Sequence, residues 1–425
     1  MFSPSHPRPV GSAPYTIFKP LLEPFSTKVS TSLLKPLLTA LLVLTGAAAQ
    51  AAPYTPASDA VVVERLPGRA SDPATRRVES LRKQLAARPD DAELRVEIAR
   101  RYFDMAMAQG DPRYVGYASA ALAPLAKTAA INANYDLALG LIQQFSHEFE
   151  PALASLSKAA VLNPTSPEPL LWRTAIFMVQ ARYSEAAAEC ARVVPLAEPL
   201  LGTGCSAYVE ATTGQLEPAF QKLAAAVKAS PQSSAGLLLW ENTRLAEMAT
   251  RLQRFDLAEN YFKSALQQGV TDQFLLGAYA DFLLLRQRPA EVLSLLADWE
   301  RSDILLLRLA LAGKAVGDKR SADWAAQLRD RFQAAAQRGD RLHEQEAARF
   351  ELDIEGNAAK ATLLASRNYE VQKEPRDADI LIRAALAANQ VKSAQPALDW
   401  LRASRYEDPA MSQLATRLSS KGATR

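Results

Sequence analysis

Residues 133–166 read ANYDLALGLIQQFSHEFEPALASLSKAAVLNPTS, and this stretch decides the fold. Apolar residues recur at spacings of three and four, which is the period of a helix with one buried face, and the run stops at the polar break Asn163-Pro164-Thr165-Ser166. Small residues stand at Gly140, Ala152 and Ala159. What gives the stretch weight is that it comes back. The alanine at Ala152 returns at Ala186 and Ala219, at steps of 34 and 33, then at Ala258, a degenerate Val292, Ala322, Ala361 and Ala397. Gly214, Ala226 and Pro231 accompany Ala219, while Phe262 and Ala265 accompany Ala258. An earlier unit with an insertion runs from Ala92 through Ile98-Ala99, Tyr102 and Gly110 to Ala121-Leu122, which brings the total to about nine helix pairs.

On a 34-residue frame the unit resembles a tetratricopeptide repeat, with Leu139-Gly140, Ala152, Ala159 and Pro164 on the signature and Leu156 in its aromatic position. Asp136 and Gln143 miss the tryptophan and tyrosine of that signature. The resemblance covers residues 76–415 and is to the exported bacterial type of this superfamily. It implies an all-α fold, an α-solenoid in which about nine hairpins stack into a right-handed superhelix. The physical basis is close approach. A hairpin cannot bury its apolar face alone, and small residues where helices cross let the axes come within about 8–10 Å. An irregular alanine-rich helical protein is the alternative, and it would not bury these alanines at a regular step.

Composition agrees with helices. The 425 residues are 48% hydrophobic and 22% charged, too apolar for a disordered chain, and the 17 glycines are roughly 4% against a usual share of about 7%. Tight β-turns and glycine-lined phosphate loops are disfavoured. The formal charge of +3 sits in residues 1–51, where Arg8, Lys19, Lys28 and Lys35 face Glu23. The remainder has as many acidic as basic residues, so it lacks the basic footprint that phosphates need, and no nucleic-acid partner is expected.

Residues 1–51 read as a leader with a signal peptide. Lys28 and Lys35 precede an apolar run from Leu37, and Ala49 and Ala51 supply an A-x-A site with cleavage after Ala51. The expected location is periplasmic or secreted. The alternative is an uncleaved anchor in the inner membrane, facing the periplasm, because no charge falls between Pro36 and Ala52. Membrane contact is expected only through that leader or through a partner. Residues 52–75 read as a proline-containing linker, and 76–420 as the repeat domain.

Cys190 and Cys205 are the only cysteines. In an exported protein an exact pair suggests a disulfide, and the frame puts Cys190 on a second helix and Cys205 on the next first helix. Two separate buried thiols remain the alternative, because sequence does not give the distance between them. The three histidines are too few for a triad or a His/Cys metal site, and in the His343-Glu344 stretch Ala347 stands where a second ligand would be. His343, the pair Glu344 and Glu346, and the pair Asp353 and Glu355 read as solvated surface. No catalytic residue, metal or cofactor is expected. Tyr114 and Tyr117 read as packing on the preceding helix, or else as a contact edge.

What the resemblance implies for function is a concave surface, lined by first helices, that holds a protein or peptide segment. Carried onto this chain, its contact positions are Val96, Arg100, Phe103 and Asp104 in the early unit and Leu137, Leu141, Gln144 and Phe145 in the next. The function expected is a non-enzymatic periplasmic scaffold or adaptor in a cell-envelope assembly. The alternative is a soluble carrier or export component binding a peptide or polysaccharide in the groove.

Overall fold

The computed structural model describes residues 72–127 and 132–423. The leader, and the linker up to residue 71, lie outside them. Twenty α-helices follow one another, with no strand among the described residues. The first, α1 (Pro73–Ala87), opens inside the stretch read as linker. Asp72 accepts from the Thr75 backbone N–H at 2.9 Å and proline takes the first turn, where its missing N–H is harmless.

Nine hairpins follow. They are α2 (Ala92–Gln109) with α3 (Arg113–Leu122), α4 (Ala133–Phe145) with α5 (Phe149–Leu162), α6 (Glu168–Val179) with α7 (Tyr183–Val193), and α8 (Pro199–Thr212) with α9 (Leu216–Ala229). Next come α10 (Ala235–Arg251) with α11 (Phe255–Leu266), α12 (Gln273–Leu285) with α13 (Pro289–Leu295), and α14 (Asp303–Val316) with α15 (Ser321–Gln337). The last are α16 (Glu344–Asp353) with α17 (Ala358–Val371) and α18 (Pro375–Ala388) with α19 (Gln395–Ser404), closed by α20 (Pro409–Ala423). Each helix packs mainly on its sequence neighbours, so the fold is an α-solenoid of tetratricopeptide-type hairpins.

The turn inside every hairpin contains one residue in the left-handed region: Gly110, His147, Ala181, Gly214, Gln253, Gln287, Gly317, Gly356 and Asn389. Four of the eight steps are 33 or 34, so the backbone repeats where side chains have drifted. Five residues beyond the turn stand the frame residues Ala152, Ala186, Ala219, Ala258, Val292 and Ala361, each fully buried. Ala397 is fully buried as well. Leucine at Ala219 is therefore expected to overpack a helix crossing and cost about 1–3 kcal/mol. A thermal melt indistinguishable from the parent would refute that placement.

Ala322 is the exception. It is exposed, because the turn after Gly317 runs to Arg320 and α15 starts two residues late. The buried position passes to Trp324, and its small partner is Gly313, where a Cβ would lie 2.9 Å from the indole Cζ3. In the earliest unit the same crossing is made by Ala118 rather than Ala121. Tyr114 and Tyr117 lean on the Tyr102 ring of α2, at 6.2 and 5.3 Å between centroids.

Cys190 of α7 and Cys205 of α8 form a disulfide, with Cα atoms 5.5 Å apart. Closing a 15-residue loop is worth about 3 kcal/mol in the chain-entropy model. The double variant C190A/C205A is expected to lose about that much in denaturant melts. Alkylation without reductant, read by mass spectrometry, should find no free thiol in the parent.

The superhelix completes a turn and then seats on itself. The turns inside the second to fifth hairpins meet the segment 371–408. The Gln372 amide contacts His147 Nε2 at 2.7 Å, and the Lys373 N–H donates to Val179 O at 2.7 Å. Trp400 Nε1 donates to the Tyr183 hydroxyl at 2.7 Å, and Glu407 Oε2 caps α9 by accepting from the Leu216 N–H at 2.6 Å. Arg251 stacks 3.8 Å over the Tyr406 ring and donates to Glu407 O at 3.0 Å. Likewise Gly110 lies against Gln273 and Ser302 at the starts of α12 and α14. The concave side is thus faced by the later hairpins of the chain and is not a one-sided trough.

Candidate functional site

First helices line that side. Four of them, α12, α14, α16 and α18, are joined by an ionic ladder. Arg308 and Arg349 both donate to Asp281, at 2.6 and 2.8 Å, and Arg383 donates to Asp353 at 2.6 Å while Arg349 lies 3.7 Å from it. Burial alone would raise the Asp281 carboxyl, but Arg308 and Arg349 outweigh it and hold it below its ordinary value.

Between the two turns of the superhelix lies a cavity of about 340 Å³. Its wall is aromatic and charged. Trp240, Arg244 and Glu247 project from α10, Tyr208 from α8, and Phe274 from the first turn of α12, while Glu374 enters from the link between α17 and α18 and Arg376 from the first turn of α18. Trp240 and Phe274 are 45% and 36% exposed, which is unusual for rings this large on first helices. The Arg244 guanidinium lies 3.7 Å over the Tyr208 ring and 5.3 Å from Trp240. No carboxylate pairs with it among the described residues. Arg376, by contrast, is held by Glu374 at 2.6 Å.

Two histidines border the same space. Burial lowers His147 to about 4, so the ring is neutral and its Nε2 can accept from the Gln372 amide. His343, Glu344 and Glu346 are not the solvated face that their local sequence suggests. Both glutamates are 6% exposed, Glu346 at the cavity wall with His343, and Glu344 packed against arginines. Glu344 is paired with Arg341 at 3.1 Å and with Arg367. Burial would raise Glu346, but His343, 3.9 Å away, outweighs it and brings the carboxyl to about 2.

The predicted contact residues divide three ways. Gln144 and Phe145 line the cavity just described. Val96, Arg100, Asp104 and Leu137 line a second space of about 520 Å³ near the first hairpin, where Arg100 donates to Glu168 at 2.6 Å. Val96 and Leu137 offer little surface there, at 3% and 8%. Phe103 and Leu141 are 3% and 1% exposed and belong to the packing layer, the Phe103 ring lying 5.6 Å from Trp172 and 6.5 Å from Phe145. These first helices press on their neighbours with the same face that the frame directs inward.

Tyr208, Trp240, Glu247 and Phe274 were missed. The frame continued into the fourth and fifth hairpins puts Tyr208 and Glu247 at the position of Arg100 and Leu141, whereas Trp240 and Phe274 fall outside the predicted contact positions. Arg376 had no such signal, since it arrives from the next superhelical turn. Among the described residues there is no group of three metal-ligating side chains, and no helix long and apolar enough to cross a membrane.

No family model and no curated protein matches the chain. Among solved structures, it is similar to a Rap protein complexed with competence and sporulation factor, at 13% identity over 82% of this chain and 99% of that one, with a TM-score of 0.42. Yeast Tom70 gives 14% identity, 82% and 85% coverage and a TM-score of 0.38. PilW, a type IV pilus biogenesis factor, gives 19% identity over 56% of this chain and 94% of that one, with a TM-score of 0.33.

Proposed function

We propose that the protein is a non-enzymatic periplasmic scaffold in a cell-envelope assembly that holds a short segment of a partner protein in its central cavity. One observation carries this reading: two large rings, Trp240 and Phe274, stand exposed at the cavity wall beside an arginine that has an aromatic platform and, among the described residues, no carboxylate in an ion pair with it. Exposed aromatics and an unpaired guanidinium in a concave site can gain both area and hydrogen bonds when a ligand covers them. The pattern in residues 1–51 that reads as a signal peptide supports the location.

A photo-crosslinking residue placed at Trp240 or Phe274 in intact cells is expected to yield a discrete protein adduct, reduced by Arg244→Glu. The same probe at Leu363 of α17, 59% exposed, should yield none. Equal adducts at both places, or none at the cavity, would overturn the reading. Cell fractionation tests the location separately. The cavity volume favours a second reading. At about 340 Å³ it lies at the small-ligand end of the usual range, so a carrier of a short peptide or sugar fits as well. Native mass spectrometry showing a retained small molecule, with no protein adduct, would select the carrier.

A further inference from the structure

Helix α10 carries an acid that its surroundings leave alone. Glu241 is 3% exposed, its Oε2 is fully buried and without a hydrogen-bond partner, and it packs on Gly204 of α8, where even a Cβ would come within 2.0 Å of its Oε1. Arg244 stands one helical turn further on, at the spacing where glutamate and arginine on a helix ordinarily pair. It pairs instead with the π face of Tyr208, which is one turn beyond Gly204 on α8. The two helices therefore face each other in two layers, Glu241 on Gly204 and Arg244 on Tyr208. The disulfide at Cys205 fixes α8 beside the first layer.

We infer that Glu241 is a positioning residue that sets which way Arg244 faces. While its carboxyl is neutral, Arg244 stays on Tyr208 and arms the cavity; once it is ionised, it draws Arg244 back along α10 and disarms it. The physical reason is that a buried carboxylate without a partner is expensive, and among the described residues Arg244 is the charge that acts on it. Arg244 also acts on Glu247, one turn further along α10, and four carboxylates on the helices packed against α10 are paired elsewhere. Glu210 of α8 is held by Lys222 of α9, Glu217 of α9 by Arg254, Glu259 of α11 by Arg288 and Lys263, and Asp281 of α12 by Arg308 and Arg349. None of them acts on Glu241, and from its own helix only Arg244 does. Burial raises the Glu241 carboxyl to about 7, with Arg244 opposing, which places the change of state near neutral pH.

This inference rests on the cavity being the binding site only for its biological meaning, and its test needs no ligand. Because the folded value lies above the ordinary 4.5, the folded protein holds the extra proton between pH 4.5 and about 7, and stability falls as pH rises through that window. Glu241→Gln removes that loss. Its melting temperature should equal the parent's near pH 4.5 and exceed it by a growing margin up to pH 8. The arginine Nε–Hε resonance of Arg244, assigned by its disappearance in Arg244→Lys, should carry a Tyr208 ring-current shift at pH 5 that is lost above pH 7. In Glu241→Gln that shift should persist at every pH, and Glu241→Asp should restore the pH dependence. A resonance that ignores pH in the parent, or that moves equally in the Gln variant, would overturn the inference and leave the crosslinking result untouched.

Discussion

Trp324→Ala is expected to cost about 3–5 kcal/mol, the range for removing a large ring from a packed interior. Trp324 is 2% exposed, its indole N–H donates to Glu300 Oε1 at 2.9 Å, and Arg320 stacks on the ring at 4.7 Å. The other crossings described above put alanine on the second helix, or valine at Val292. This one inverts the arrangement, with the glycine on the first helix and the tryptophan on the second, so alanine leaves an empty space that Gly313 cannot fill. The inversion makes a paired prediction. Gly313→Leu alone should destabilise, since even its Cβ lies 2.9 Å from the indole, whereas in the Trp324→Ala background it should recover part of the loss. Repeat arrays often unfold in parts, so hydrogen exchange in α14 and α15 is the direct measurement alongside denaturant melts. Additive losses in the double variant would show that the two residues do not share one space.

Asp281→Ala is expected to cost about 2–4 kcal/mol, whereas Arg308→Met should be nearly neutral. The asymmetry comes from what each change leaves behind. Without Asp281, the Arg308 side chain is 8% exposed with no carboxylate and only Ile304 O, at 2.8 Å, to accept from it. Its Nε has no partner even in the parent. Without Arg308, Asp281 still holds Arg349 at 2.8 Å, and a methionine can occupy the vacated volume. The Asp281 side chain is 36% exposed, which is why the figure falls below that of a fully buried pair. The pH dependence has a definite sign. A depressed folded value means that the carboxylate contributes stability above the ordinary 3.8 and loses it as pH falls through the lower folded value. The gap between parent and Asp281→Ala should therefore close in acid. A gap constant with pH would refute the role of the ion pairs.

Much of this was legible in the chain. The recurring alanine located most of the second helices correctly, because a helix crossing tolerates little beyond a methyl group and that constraint is local. It failed at Ala322, where two extra turn residues moved the helix against the frame. The local spacing of His343, Glu344 and Glu346 looks solvated, but their partners come from other helices: Arg367 of α17 pairs with Glu344, and Arg376 and Arg308 act on Glu346. The contact positions show the same limit. Arg100 and Gln144 border open space, yet Phe103 and Leu141 are sealed by neighbouring first helices.

The sequence by itself determined the helix, the hairpin and the stacking of one hairpin on the next, since each depends on residues within about one or two repeats of each other. Tertiary structure alone decided that the spring closes: the contacts of Tyr183 with Trp400, Val179 with Lys373 and Leu216 with Glu407 span roughly 190 to 220 residues. Small rotations accumulated over several hairpins bring those groups together, and no local pattern records the sum. The cavity, its exposed rings and the arginine from the second turn exist only because of that closure.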